Sequence, residues 1–195
     1  MTKNILIIIL YLLVGCQSRK SPYFQELIST KEITLTKVRG PVQSDSITLS
    51  IPIEFSLNLN NSDIKSLVIY YVINGKQLMQ VEDFLVYNGK SNKVMSVIEK
   101  GENNIYPESI YIRQIKHISK KEAELLIKKY NPLASINNIR TGADTIKLVS
   151  YKKYIEDNPS FIKEMRKEPD SLILSIGFFK KESKVIGEKI KWLNK

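Results

Sequence analysis

The sequence predicts a β-rich α+β fold, an antiparallel β-sandwich with one or two helices in its C-terminal half. Apolar and polar residues alternate strictly over 49–60, which is the period of a strand with one buried face. The dipeptide Asn-Gly, which favours tight hairpin turns, occurs at 74–75 and again at 88–89. A Ser-x-x-Glu capping box at Ser119 and Glu122 marks the start of a helix.

Strands are expected from Glu32 onward through the first half of the chain. Pro52 falls on the outer face of the alternating segment and cannot donate to a ladder, so we expect a free edge or a bulge beside it. The unbroken apolar run over 67–73 predicts a central strand covered on both faces. With the two Asn-Gly turns, strands over 84–87 and 93–98 would complete a β-meander.

The C-terminal half mixes helices with strands. A strand is predicted over 108–116, and the helix that begins near Ser119 carries one apolar stripe and ends at 131–132. Asn158 and Pro159 are residue types preferred at the N-cap and in the first turn, so they predict a second short helix. Three further strands are expected over 144–150, 172–179 and 185–192.

The strand count and the turn spacing resemble an immunoglobulin-like or transthyretin-like domain. The resemblance is architectural, because the Cys-Trp-Cys pattern of antibody domains is absent. We expect a single β-rich domain over 32–195, with 119–143 as the one stretch where it could subdivide. A sandwich of this kind implies no particular function, since many unrelated activities share it.

The N-terminus carries the most specific motif of the chain. Lys3 precedes an apolar run over 5–14, which is the pattern of a secretory signal peptide and too short to span a bilayer. Residues 13–16, Leu-Val-Gly-Cys, resemble the lipobox of a bacterial lipoprotein. The chain therefore looks like an exported protein that is anchored by lipid.

The lipobox resemblance implies both a modification and a location. Residues 1–15 would be the signal peptide, the Cys16 thiol would carry lipid, and 16–31 would form a lipidated tether. Two or more acyl chains give stable anchoring, since each buried CH₂ contributes roughly 0.8 kcal/mol. Gln17 follows the cysteine, and in lipoproteins of this type that favours the outer membrane, facing the periplasm.

The composition limits the kinds of partner and of site that we expect. The chain has 30 Lys and Arg against 20 Asp and Glu, a formal net charge of +10. A basic envelope protein can meet anionic headgroups or an acidic protein partner, whereas nucleic acid is not expected there. Cys16 is the only cysteine and His117 the only histidine, so we expect no disulfide, no Cys/His metal site and no cofactor.

No catalytic motif stands out, so we predict a non-enzymatic envelope lipoprotein that acts as a binding or scaffold domain with a protein partner. A periplasmic immunity factor that neutralises a toxin is one alternative. A carbohydrate-active enzyme is another, with Glu54, Glu82 and Asp83 as the carboxylates considered. The sequence does not decide whether the protein also binds a small-molecule ligand.

Aromatic side chains offer flat contact area with a polar tip. The candidate partner surface consists of Tyr70, Tyr71, Tyr106, Tyr111 and Trp192.

Overall fold

The fold is a sandwich of two antiparallel sheets with helices in its C-terminal half. This confirms the β-rich α+β prediction. The computed structural model describes residues 23–37, 46–59, 63–81, 83–100, 105–165, 170–190 and 193. Strands and helices are numbered below in chain order.

The first sheet has the strand order β6-β8-β3-β2-β9, and β1 pairs with β3 beyond the end of β2. All of its pairs are antiparallel. Its strands are β1 (Phe24–Leu27), β2 (Glu32–Lys37), β3 (Ser46–Leu57), β6 (Phe84–Asn88), β8 (Ser109–Ser119) and β9 (Ile146–Ser150).

The second sheet has the order β11-β10-β4-β5, and β7 pairs with β4 near the opposite end of that strand. Its strands are β4 (Ile64–Ile73), β5 (Lys76–Gln77), β7 (Ile98–Glu99), β10 (Ser171–Phe178) and β11 (Lys184–Lys189). The closing pair β10–β11 was expected from the last two apolar runs.

Strand β3 is the centre of the first sheet. Its inner face carries Ile51, Ile53 and Phe55, which have no exposed surface, as the alternating pattern predicts. Pro52 lies in the gap between the stretch of β3 that pairs with β2 and the stretch that pairs with β1. Its missing N–H therefore costs no ladder bond on that side, where neither β1 nor β2 pairs with β3 over 51–53.

The core lies between the sheets. The rings of Tyr71 on β4 and Phe84 on β6 meet edge to face across it, with centroids 5.9 Å apart. One continuous cluster of buried apolar residues joins both sheets to the helical part of the chain, including Ala123, Ile127 and Ile136. Such burial is the main source of stability for a domain without disulfides.

Helix α1 (Lys120–Tyr130) begins with the predicted capping box. The Ser119 hydroxyl accepts a bond from the N–H of Glu122 at 3.2 Å, and the Glu122 carboxylate accepts one from the N–H of Ser119 at 2.8 Å. The helix packs against β3, β8 and β9. Helix α3 (Pro159–Met165) begins where the Asn-Pro pair predicts.

Helix α2 (Tyr151–Asp157) was not predicted. It starts directly after β9, where the Ser150 hydroxyl caps the N–H of Lys153 at 3.3 Å. Tyr151 and Tyr154 are buried beneath it, whereas the sequence shows them only as aromatics near the end of a strand. The helical part of the fold thus has one helix more than expected among the described residues.

The expected tether over 16–31 is wrong for residues 23–31, because these belong to the domain. Strand β1 pairs with β3, and Phe24 packs edge-on against Phe55 with ring centroids 5.6 Å apart. The carbonyl groups of Ser29 and Lys31 accept bonds from α2. Apolar burial therefore holds a segment whose polar composition suggested a linker.

The apolar run of β4 is covered on one face only, contrary to expectation. Tyr71 is fully buried, whereas its neighbour Tyr70 is 39% exposed and Val68 and Val72 are half-buried. The reason is that α1 and α2 pack on strands of the first sheet rather than on the outer face of β4.

The β-meander is also wrong. Asn74 and Gly75 form the predicted tight hairpin, with φ of 50° and 72°, but β6 pairs with β8 in the other sheet. After β6 the chain makes a longer loop in which Asn92 has the positive φ, 57°. The strand expected over 93–98 is reduced to a bridge at Val94 and the short β7.

Candidate binding groove

A groove of about 680 Å³ lies between the segment that follows β6 and the segment that leads into β8. Its first wall is formed by residues 88–99 and its second by residues 105–109. The first wall starts on β6 and ends on β7, so it crosses from one sheet to the other. On the second wall, the Tyr106 hydroxyl donates to the carbonyl oxygen of Ile64, the first residue of β4.

The loop over 88–93 is tightly held. The N–H of Gly89 donates to the carbonyl oxygen of Ser109 at 2.8 Å, and a Cβ at position 89 would lie only 1.9 Å from the Ser109 hydroxyl. The Asn88 side chain accepts bonds from the N–H groups of Lys90 and Ser91 at 2.9 and 2.8 Å. Close backbone approach therefore requires glycine at the base of this loop.

A cation–aromatic cluster supports the loop from behind. Tyr87 and Tyr111 stack with centroids 4.8 Å apart and planes 5° apart. Lys31 Nζ lies 4.6 Å from the Tyr111 centroid, and the Arg113 guanidinium carbon lies 5.4 Å from the Tyr87 centroid. Arg113 also donates to the Thr34 hydroxyl at 3.0 Å. Burial raises the pKa of Tyr111, and the Arg113 charge acts in the opposite direction.

The groove and its surroundings carry exposed apolar side chains, which we call the apolar rim. The rim consists of Met79, Val81, Val94, Val97 and Ile105, which are 58%, 69%, 56%, 37% and 65% exposed. The last three line the groove itself. Grouped exposed apolar side chains of this kind are typical of interaction sites.

The part of the rim outside the groove is fixed beside it by a side-chain bond. Gln80 Nε2 donates to the carbonyl oxygen of Met95 at 2.9 Å, which joins residues 79–81 to the first wall. Val81 has φ of 81°, a strained conformation for a β-branched residue. Its N–H donates to the carbonyl oxygen of Phe84 at 2.8 Å, which holds the strained turn in place.

Charged side chains of both signs line the groove. Lys90 and Lys93 project from the first wall, and neither forms an ion pair within the described part of the chain. Glu108 lies on the second wall and Glu99 at the far end of the first. Burial raises the pKa of Tyr106, and the negative charge of Glu99 adds to that rise.

The tyrosines predicted as a partner surface are not brought together. Tyr106 lines the groove and Tyr111 lies buried behind it. Tyr71 is in the core, Tyr70 lies on the outer face of the second sheet, and Trp192 lies outside the described residues.

The other residues considered from the sequence are also dispersed. Cys16 and Glu82 lie outside the described residues. Asp83 caps the turn at Met79, and Glu54 accepts a bond from the Ser109 hydroxyl at 3.4 Å.

Sequence reasoning missed the apolar rim. Val94 and Val97 lie in a stretch that was interpreted as a strand, and in a strand their side chains would pack on a sheet face. The available signal was the polar stretch that precedes the two valines, since residues 88–93 are all Asn, Gly, Lys or Ser. Apolar residues directly after such a polar stretch also suit an exposed contact surface.

Within the described ranges, no group of three or more His, Cys, Asp and Glu residues is placed to hold a metal ion. In the same ranges, no helix has both the length and the apolar character needed to cross a bilayer. Comparison of the chain with models of known protein families found no match, and comparisons with curated proteins and with solved structures found none either.

Proposed function

We propose that this protein is a non-enzymatic envelope lipoprotein whose domain binds a protein partner through the groove and the apolar rim. The observation that carries the proposal is the exposure of Val94 and Ile105, each more than half exposed in the groove, with Val81, 69% exposed, in the segment that Gln80 joins to the first wall. An exposed apolar patch with a charged border is typical of a protein–protein interface. The rigid support of the 88–93 loop favours a preformed surface, which limits the entropy lost on binding.

The proposed anchor places the domain near its membrane. Cys16 and Phe24, the first residue of β1, are eight positions apart. A chain of that length spans at most about 29 Å when fully extended. We propose attachment to the outer membrane on its periplasmic side, from the lipobox and Gln17, with the partner in the same compartment.

Site-specific crosslinking in cells tests the binding role. A photo-crosslinking amino acid replaces Val94 in the full chain, and a matched variant carries it at Val185, an equally apolar position on β11 that is 67% exposed. We expect a defined crosslinked protein from position 94 that position 185 does not give. Identical products from both positions, or none from position 94, would contradict the proposal.

The nature of the crosslinked partner separates a scaffold from an immunity factor. If the partner is a toxin, deletion of this lipoprotein should harm cells only when that toxin is present. If the partner is a component of the envelope, the same protein should be captured in cells that never meet a toxin.

A carbohydrate-active enzyme is kept as the second candidate because Glu99 and Glu108 line the same groove. Glycoside hydrolases use two carboxyl groups on either side of the scissile bond. The test incubates the purified full chain with cell-wall glycan and measures new reducing ends. Activity that disappears in both the Glu99→Gln and the Glu108→Gln variants would favour the enzyme. If the unchanged chain releases no reducing ends, the carbohydrate-active enzyme is excluded as a candidate.

A further inference from the structure

We propose, on the basis of the binding role above, that the groove takes an extended peptide segment of its protein partner. The segment has an apolar centre, an acidic side chain at the end marked by Lys90 and Lys93, and a basic side chain near Glu99. Three features of the described residues carry this inference: the distribution of charge, a free backbone edge at Val94 and the mixed character of the walls.

The charges of the groove are separated along its length. The bond from Gly89 to Ser109 places the loop with Lys90 and Lys93 at the same end as Glu108, so two ammonium groups there face one carboxylate. Glu99 lies at the other end, where it pairs with Ser66 on β4, two residues from the Ile64 carbonyl oxygen that accepts the Tyr106 bond. A ligand complementary to this arrangement is negative at one end and positive at the other.

The first wall also offers an unpaired backbone edge at Val94. On the side of β6 away from β8, the N–H of Asn88 donates to the carbonyl oxygen of Lys93, and the N–H of Met95 donates to that of Val86. These two bonds flank Val94 and turn its own N–H and C=O away from β6. No partner for these two groups occurs in the described part of the chain. An extended peptide can pair with such an edge and send alternate side chains into the groove.

The charges on the two walls of the groove disfavour a lipid surface as the occupant. An anionic headgroup layer would suit Lys90 and Lys93 and the apolar rim. However, Glu99 and Glu108 line the same groove and would be repelled by that layer. A peptide can place opposite charges at both ends, whereas a uniform anionic surface cannot.

Selection from a peptide library tests the inference. The full chain, purified in detergent, is the target for a display library of short random peptides, and the Val94→Asp variant is used for counter-selection. We expect enriched peptides with alternating apolar residues and an acidic residue towards one end. The charge reversal Lys90→Glu with Lys93→Glu should weaken binding of a labelled, enriched peptide about tenfold, and replacing its acidic residue by lysine should restore the affinity.

Controls separate this inference from the binding role on which it rests. The matched charge reversal Lys120→Glu with Lys121→Glu, at the exposed start of α1, should leave the affinity unchanged. Enriched peptides without an acidic residue, or a Lys90 and Lys93 reversal without effect, would overturn the inference. So would Val94-dependent binding to phosphatidylglycerol vesicles. If no peptide is enriched while crosslinking at position 94 still captures a protein, the peptide inference fails and the binding role stands.

Discussion

Lys31 Nζ donates a hydrogen bond to the carbonyl oxygen of Gly89 at 2.9 Å, although the two residues are 58 positions apart in the sequence. The same ammonium group bonds Asn92 Oδ1 at 3.1 Å and lies 4.6 Å from the centroid of the Tyr111 ring. The segment between β1 and β2 therefore fixes the loop that forms one wall of the groove. A single side chain connects the N-terminal part of the domain to its proposed binding surface.

Replacing Lys31 with methionine should loosen this wall. Methionine retains an apolar stem against Tyr111 but donates no hydrogen bond, and a bond from a charged donor contributes about 1.5–3 kcal/mol. We expect a lower free energy of unfolding in urea and faster amide hydrogen exchange over 89–92. The control is Lys147→Met, which removes an exposed ion pair with Glu32 and should cost less than about 1 kcal/mol. Equal losses for both variants would contradict the supporting role of Lys31.

Gly89→Ala should destabilise the same loop by steric conflict. The added Cβ would lie 1.9 Å from the Ser109 hydroxyl and 2.9 Å from the Ser109 carbonyl oxygen, so the backbone must move. Overpacking of this kind costs about 1–3 kcal/mol. The matched control is Gly187→Ala on β11, where an added Cβ meets nothing within 4 Å. A loss of stability at position 89 no larger than at position 187 would argue against a close approach at Gly89.

The two Asn-Gly dipeptides show which kind of turn can be predicted from the sequence and which cannot. At Asn74 and Gly75 both residues take positive φ and form the predicted tight hairpin, because the local backbone preference of Asn and Gly favours that turn. At Gly89 a bond to Ser109 decides the conformation, and the positive φ moves to Asn92. The capping box at Ser119 is likewise local and was predicted.

Strand pairing and exposure depend on distant parts of the chain, so they were not predicted well. Whether Val94 is buried in a strand or exposed on a rim depends on the path of the chain between the sheets, which no local pattern contains. The same holds for β6, whose partner β8 begins after a long connection, and for β1, which is held by burial of Phe24 against Phe55.

Stability at alkaline pH should depend on Tyr154. Burial, and secondarily the neighbouring Tyr130, raise the pKa of Tyr154 to about 12. Since this is above the value of about 10 expected in the unfolded chain, the stabilisation is fully present below about pH 10 and is lost as the pH rises towards 12. In the Tyr154→Phe variant, the free energy of unfolding should therefore decrease less between about pH 10 and 12 than in the unchanged chain. Tyr70→Phe, at a position 39% exposed, should leave the fall in place.

Acidic pH should destabilise the N-terminal turn of α1. Hydrogen bonds from the Ser119 hydroxyl and backbone hold the pKa of Glu122 below its usual range. A carboxyl with a lowered pKa stabilises the fold above its unfolded value, and that stabilisation is lost as the pH falls through the folded value. Glu122→Gln keeps the capping geometry without ionisation. The free energy of unfolding of this variant should therefore change less between about pH 5 and 3 than that of the unchanged chain.

The capping prediction is checked by a double-mutant comparison. Ser119→Ala alone should cost about 0.5–2 kcal/mol at neutral pH. In the Ser119→Ala background, the further change Glu122→Gln should alter the acid dependence less, because the hydroxyl bond that lowers the pKa of Glu122 is lost while the backbone N–H of residue 119 can still donate to the carboxylate. An unchanged effect of Glu122→Gln in that background would place the cause of the acid dependence elsewhere.

The proposed lipid anchor at Cys16 can be tested by substitution of the cysteine. Cys16→Ser should abolish labelling of the protein by a radioactive fatty acid and block removal of residues 1–15, because the thiol is the group that takes the lipid in lipoproteins of this type. Since Cys16 is the only cysteine, no other thiol can take its place. Cys16 also lies ahead of β1, so the variant should unfold at the same urea concentration as the unchanged chain. Labelling that persists in Cys16→Ser would show that residues 13–16 are not a lipobox.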